Sequence, residues 1–389
     1  MNFKNLFEIL FWVGVLAAFY TYVGYPLIVF VASLIAPRKV NRVDSVFPLV
    51  TVIITAYNEE RDLAAKIENT LALDYPKDKM EILVASDCST DGTELIVRSF
   101  ADRGVRLHRQ TQRHGKTAAQ NAAVELARGE ILLFSDATTL YNADVLRVMV
   151  PNFADAEIGC VAGRLIYVNP TASSVGQGAR SYWGYETFLK RHESRFSSLI
   201  GVSGCLYAVR RSAYIPLNPE ACSDFIIATK MIEQGLRTIY EPNALCTEET
   251  NDRTNRELPM RVRVIAQTYT DLWRHRGMMN PLRTGFYAFQ LLSHKVMRYL
   301  MPTFLIAILI ASAVLARDST FYLVMLAGQL AFYSLALAGW LLERAGKRSK
   351  LLALPHYFVL ANLASLLAFN KFLRGERYAY WETAREPTS

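Results

Sequence analysis

The chain lacks the cysteine pattern of a stapled or zinc-bound fold. Its five cysteines (Cys88, Cys160, Cys205, Cys222 and Cys246) form no CxxC pair and no zinc-ligand spacing. They read as free thiols of a reducing compartment, which excludes a disulfide-framed secreted module. Charge is also scarce: 20 % Asp, Glu, Lys and Arg against 52 % hydrophobic residues is too little for a wholly soluble protein. No charged residue at all interrupts 9–37. Internal repeats, low-complexity segments and a signal-peptide cleavage site are absent. No basic run accompanies a nucleic-acid-binding pattern, so the net charge of +8 points away from nucleic acid.

The apolar excess sits at the two ends. Residues 7–36 exceed the ~20 needed to cross a bilayer and read as a retained helix. Arg38, Lys39 and Arg42 follow it, which places that end in the cytoplasm and the N-terminus outside. Three more apolar spans are expected over 303–316, 321–342 and 351–369, after an interface helix at 281–301. The link ERAGKRSK (343–350) is cytoplasmic in character. NKFLRGER (370–377) is basic as well, yet three full crossings put it outside. Either the last span, which holds Pro355, His356 and Asn362, is re-entrant or interfacial, or the rule is broken here.

Between the ends the texture changes. Short apolar runs at 48–55, 80–85, 105–108 and 131–134 alternate with amphipathic stretches at 59–73, 93–100 and 118–127. This βαβαβαβ pattern predicts an α/β fold, a doubly wound, mostly parallel sheet over 44–280 flanked by transmembrane helices. Asn142 is expected to cap a helix over 143–153. Further on come a strand at 159–167, an aromatic helix at 175–193 carrying Tyr182, Trp183, Tyr185 and Phe188, a helix at 225–234 and a strand at 237–240. The stretches 258–274 and 284–298 mix apolar and basic faces, as interfacial helices do. Residues 373–389 form a basic tail.

Five constellations fall at strand ends or loops: TAYNEE (55–60), SDCSTDGT (86–93), HGKT (114–117), SDATT (135–139) and CSDF (222–225). In open α/β sheets, ligands bind outside the carboxyl ends of the strands. Read in order between membrane helices, together with GVSGCLYAVRR (201–211), SHKVMRYLMP (293–302) and FLRGERYAYW (372–381), they make the chain resemble the family 2 glycosyltransferases. These are inverting GT-A enzymes that include cellulose, chitin and hyaluronan synthases and many bacterial exopolysaccharide transferases.

The resemblance implies a donor site for a UDP-sugar. Thr55, Tyr57 and Glu59 match positions lining the base pocket, and Asp87 matches the acid that meets uracil and ribose. Lys116 is placed to meet the nucleotide. Asp91, in the same polar turn as Asp87, reads as a helix cap. Asp136 matches the first acid of the Asp-x-Asp motif, whose second position holds Thr138. It is expected to hold Mg²⁺ or Mn²⁺ together with the phosphates and water, a Lewis acid for the leaving diphosphate. Asp224 matches the second acid of the Glu-Asp motif and is the expected general base, since inversion needs one carboxylate to deprotonate the acceptor hydroxyl. Its alternative role is a helix cap. Arg261 and Arg263 are expected near the diphosphate or else facing lipid. The Gln-x-x-Arg-Trp motif of processive synthases reads Met260-Arg261-Val262-Arg263-Val264 here, without the stacking Trp. That favours transfer of a sugar to a polyprenyl-phosphate-linked or growing glycan on the cytoplasmic leaflet of a bacterial inner membrane, beside other polysaccharide-assembly proteins. The alternatives are a processive synthase that extrudes its polymer and a catalytically silent scaffold subunit.

Overall fold

The computed structural model describes residues 3–168, 174–249, 254–347 and 349–380. Eight strands form one sheet: β1 (Val50–Ala56), β2 (Met80–Ser86), β3 (Val105–Arg109), β4 (Ile131–Asp136), β5 (Leu140–Tyr141), β6 (Ile158–Val168), β7 (Leu206–Arg210) and β8 (Arg237–Glu249). Their order is β3-β2-β1-β4-β7-β6-β8-β5. The first four strands are mutually parallel, as the alternating pattern predicts. Beyond them the sheet is mixed: β7 runs antiparallel to β4 and β6, while β6 and β8 are parallel.

β1 shows why the fold forms. Every residue of VTVIITA is buried. Its alternation sends Val52 and Ile54 to one face, where they meet Leu63 and Ile67, and Ile53 to the other, where it meets Ala119, Ala123 and Phe134. Each such aliphatic side chain contributes about 1.5–3 kcal/mol of burial. Because β2 lies on one side of β1 and β4 on the other, the chain reverses its winding at β1, and the crevice opens at the carboxyl ends of these strands. Register sets Thr55 beside both Ala85 and Asp136, and Ala56 beside Ser86, on that edge.

Boundaries shift where a short-range signal meets tertiary context. The stretch after Asn142 is not one helix to 153: β5 precedes it, Val145–Met149 is α-helical, and Val150–Ala154 tightens to 3₁₀ around Pro151. Asn142 makes no side-chain cap there; its carbonyl accepts from Val145 N at 3.1 Å. Lys116 opens its helix, Lys116–Leu126, rather than preceding it. At the other end of the chain, the helix begun at Met297 runs through Pro302 to Leu315, so no break separates the interface segment from the span.

Among the described residues, four helical stretches are long and apolar enough to cross a membrane: Phe3–Ile35, Phe286–Leu315, Thr320–Arg344 and Lys350–Leu373. The first two pack closely, with Gly14 directly against Ile308. A buried polar clamp ties both to the helix Ser174–Phe196. Tyr25 donates to Glu193, His294 Nδ1 lies 2.7 Å from Glu193 and Nε2 3.3 Å from Glu186, and Arg298 pairs with Glu186. The fourth stretch behaves differently. Tyr357 and Leu360 pack by Leu258, Ala364 and Ala368 on Val262 and Ala266, and Phe369 and Phe372 on Tyr269. It therefore runs alongside Thr254–Arg274, while Phe358 against Phe332 and Leu352 against Gly339 pack its first half on Thr320–Arg344.

One buried charge has no hydrogen-bond partner among the described residues. Lys66 is fully buried with its Nζ 3.2 Å above the Tyr141 ring centroid. Burial holds its pKa down to about 7 from an ordinary 10.5. A folded-state value below the unfolded one means that the unfolded chain binds this proton more tightly. Stability should therefore rise with pH between about 7 and 10.5. Lys66→Met is expected to stabilise the protein by about 1–3 kcal/mol near neutrality and to flatten that rise. Thermal midpoints of wild type and variant across pH 7 to 10 check it; parallel pH profiles would refute the assignment.

Candidate active site

Asp87 follows β2 directly and is completely buried. Its carboxylate accepts from two backbone amides of the HGK turn, His114 N at 2.8 Å and Gly115 N at 2.9 Å. That geometry needs Gly115 at φ +94°, a conformation that glycine adopts at little cost. The guanidinium of Arg113 lies 4.0 Å from Asp87 and 3.8 Å from the centroid of the Tyr57 ring. Tyr57 and Asp87 thus share one corner. Thr55 sits behind it, buried, with its hydroxyl donating to the Ser135 carbonyl at 3.3 Å. Glu59 borders the corner through its amide, which donates to Thr93 Oγ1 at 2.8 Å. Asp91 acts as the cap: its carboxylate takes Thr93 N at 3.0 Å and Glu60 N at 3.2 Å. The only non-glycine residues with left-handed φ among those described, Asn58 and Cys88, lie in these two facing loops.

Lys116 links this corner to the next. Its ammonium pairs with Asp136 at the end of β4. Burial opposes its charge, but the Asp136 carboxylate, with help from Asp224, outweighs burial and lifts the pKa above its ordinary value. Gly204 leaves the space where these groups face one another: a methyl there would stand 3.4 Å from Lys116 Nζ and 3.6 Å from Asp224 Oδ2. β7 makes this possible, since its antiparallel pairing sets Leu206 opposite Ser135 and so delivers Gly204 beside Asp136.

Asp224 lies in the first turn of Ser223–Glu233, and its side chain makes no cap hydrogen bond there. Instead it accepts from the Cys222 thiol at 2.8 Å. Burial, and then the Asp224 carboxylate itself, push that thiol's pKa well up, so Cys222 stays a protonated donor. Beneath them Asp271 accepts Cys222 N at 2.8 Å, and burial raises its own pKa to about 7. Lys190 reaches Ser203 of the same glycine loop at 2.9 Å. Thr138, which stands at the second acid of the Asp-x-Asp motif, donates to Glu248 at 3.0 Å, so β8 returns a carboxylate to that position. Asp271, Lys190 and Glu248 are not legible as site residues in the sequence, because each arrives from a distant element, whereas Cys222 sits within the CSDF constellation beside Asp224.

The two arginines fall elsewhere. Arg261 pairs with Glu257 at 2.6 Å and reaches the Tyr357 hydroxyl, whereas Arg263 donates to the Tyr380 carbonyl at 3.3 Å. Neither meets the Asp136 carboxylate. No group of three or more His, Cys, Asp or Glu side chains that could hold a metal occurs among the described residues. Asp136 keeps a third of its side chain exposed. That fits a Mg²⁺-like ion, which takes one or two protein carboxylates and completes its shell with phosphates and water.

Gly204→Ala is expected to fold normally, since a methyl there meets only ordinary contact distances and no positive φ is strained. It fills the gap between Lys116 and Asp224. We expect turnover to fall at least tenfold while the thermal midpoint stays unchanged; equal turnover would show that substrate does not occupy this gap.

Residues 51–217 match the profile of Glycosyl transferase family 2. Poly-beta-1,6-N-acetyl-D-glucosamine synthase of Staphylococcus aureus (strain COL) is 26 % identical over 203 residues, 51 % of this chain and 49 % of that protein. Beta-monoglucosyldiacylglycerol synthase of Nostoc sp. is 28 % identical over 182 residues, 46 % of this chain and 39 % of that protein. The chain spans about half or less of the length of these curated relatives. Among solved structures, mannosyltransferase PcManGT of Pyrobaculum calidifontis, in complex with GDP-Man and Mn²⁺, superposes with a TM-score of 0.74 at 24 % identity, covering 94 % of this chain and 99 % of that one. With this GT-A scaffold, this sheet order and the matched profile over its strand-end loops, residues 51–217 carry a Glycosyl transferase family 2 domain.

Proposed function

We propose that the protein is a membrane-bound inverting transferase that moves one sugar from a UDP-sugar to a lipid-linked or growing glycan acceptor. The observation that carries this reading is the convergence of Asp136, Lys116 and Asp224 around the space at Gly204. The Asp87 and Tyr57 corner takes the nucleoside. The diphosphate then lies over Lys116, whose ammonium exchanges part of its pairing with Asp136 for the phosphate oxygens. Asp136 would hold a divalent ion, which would supply Lewis-acid stabilisation of the leaving diphosphate. The acceptor oxygen attacks the anomeric carbon from the face opposite the diphosphate. Its proton passes to Asp224, the new C–O bond forms, and the old bond's electron pair leaves on the diphosphate. PcManGT, solved with GDP-Man and Mn²⁺, supports a nucleotide-sugar donor and a metal of this kind.

The membrane reading rests on the four apolar helices and on the basic residues at their domain-side ends. Arg38 N donates to the Arg195 carbonyl at 2.7 Å, and Arg42 pairs with Glu241 at 2.9 Å, so the first helix ends against the catalytic domain. Three helices cross, the fourth lies in the cytoplasmic interface beneath the domain, and the basic tail stays cytoplasmic. This arrangement obeys the positive-inside rule throughout. Missing the stacking Trp in 260–264, the chain is read as a single-sugar transferase rather than a processive synthase.

Detergent-purified protein with Mg²⁺ or Mn²⁺ is tested for nucleotide release against a panel of UDP- and GDP-sugars, with and without polyprenyl-phosphate acceptors. One donor should turn over, dependent on acceptor. Asp224→Asn should lose about 10²- to 10⁴-fold in kcat with nucleotide affinity unchanged. Normal turnover by Asp224→Asn would remove it as base, and nucleotide binding without any turnover would favour a scaffold subunit.

A further inference from the structure

The segment after the last helix crosses the nucleotide corner. Lys371 and Glu376 each bond the Tyr378 hydroxyl, at 2.7 and 2.8 Å, and so fold the chain back on the end of Lys350–Leu373. Two residues of the helix Thr254–Arg274 then take its carbonyls: Gln267 holds that of Tyr378 at 2.7 Å and Arg263 that of Tyr380 at 3.3 Å. From there the backbone lies on the HGK turn. A Cβ on Gly115 would come within 1.9 Å of the Ala379 carbonyl oxygen, so only glycine admits the tail at this point. The Tyr380 ring reaches the Arg113 guanidinium, 5.3 Å from its centroid, opposite in sequence terms to Tyr57, whose ring lies 3.8 Å away.

These contacts converge on the parts that would read the nucleoside. Gly115, under the tail, is one of the two amides that hold Asp87, and Arg113 touches both Asp87 and Tyr57. Lys116, the next residue, carries the charge that meets Asp136. We propose that Glu376–Tyr380 forms the outer wall of the donor-nucleotide site, a strap that presses the HGK turn onto Asp87 and presents Tyr380 with Arg113 to the bound nucleoside. The inference rests on the reading of this corner as a nucleoside diphosphate site. Arg263 acquires a role through it: the residue positions the strap instead of contacting diphosphate directly. The strap begins at the end of the interfacial helix, so the membrane-side helices and the donor site share one continuous stretch of backbone. Tyr380 remains more than half exposed, as a ring awaiting a stacking partner would be.

The test is UDP and GDP binding, with Mg²⁺, to the full detergent-solubilised chain, to Tyr380→Ala and to a chain ended after Gly375. Tyr380→Ala should weaken the better nucleotide about two- to fivefold, the loss of one cation–π contact, and the shortened chain should weaken it at least tenfold. Donor KM should rise in step for Tyr380→Ala while kcat at saturating donor holds, a split that mere loss of folding would not give. Bound nucleotide should also slow tryptic cleavage at Arg377, which is exposed in the structure; this reading on wild type stands even if the shortened chain fails to fold. Affinity equal to or tighter than wild type in both variants, or cleavage indifferent to nucleotide, would overturn the strap alone. Wild type that binds neither nucleotide would overturn the donor-site reading, and the strap with it.

Discussion

The site depends on keeping negative groups together at one sheet edge. Asp87, Asp136 and Asp224 arrive from three different elements, and Glu248 stands behind Thr138. Unbalanced carboxylates at such distances repel, and each would gain a proton or push the others apart. The fold answers with two cations, Lys116 and Arg113, and a set of fixed dipoles. Lys116 neutralises Asp136, backbone amides of the HGK turn hold Asp87, and a thiol donates to Asp224. The Arg113 guanidinium adds a charge 4.0 Å from Asp87, while the near partner of Asp224 is a neutral thiol.

This arrangement explains why the backbone is unusual where it is. The amides of residues 114 and 115 can point at one carboxylate only if Gly115 takes a left-handed φ, and Asn58 and Cys88 take theirs to close the loops facing it. Asn58 Oδ1 accepts Thr90 N at 2.8 Å, which offsets part of the cost of its conformation. Local strain at such positions persists only where surrounding structure over-determines it. Here the surroundings are the two parallel strands β1 and β2, buried and in strict register.

What could be read from the sequence followed range. The first four strands, the helices between them, and Asp87, Lys116, Asp136 and Asp224 at their ends are local signals: an apolar run, a polar loop, a helix start. The second half of the sheet was harder to read because β6, β7 and β8 pair by mixed topology, which no alternation in the chain encodes. β8 also proved far longer than the 237–240 run, since its outer half is polar yet pairs with β6. Asp271 and Glu248 could not be found, as each is brought to the site by tertiary contact alone. Asp91 went the other way: its spacing before Thr93 identifies a cap, and the structure makes it one.

The membrane side was undecided in the sequence for a physical reason. Hydropathy measures length and apolarity, and Lys350–Leu373 satisfies both. What separates a crossing helix from an interfacial one is its neighbours. Small residues Ala364 and Ala368 let this helix lie close on Val262, Ile265 and Ala266 of the domain's own interface helix, burying a flank that a lipid-facing span would leave open. Thr320–Arg344, by contrast, keeps most of its large apolar residues exposed. The polar clamp of Glu186, Glu193 and His294 then does what hydrophobic contact between apolar helices cannot. Apolar surfaces slide over one another at little cost, whereas a buried carboxylate–imidazole pair is lost entirely by a shift of one turn. With the first two apolar helices held in register on Ser174–Phe196, and the same helix carrying Lys190 to the loop beside Asp224, hydrogen bonds rather than packing fix where Asp224 stands relative to those helices.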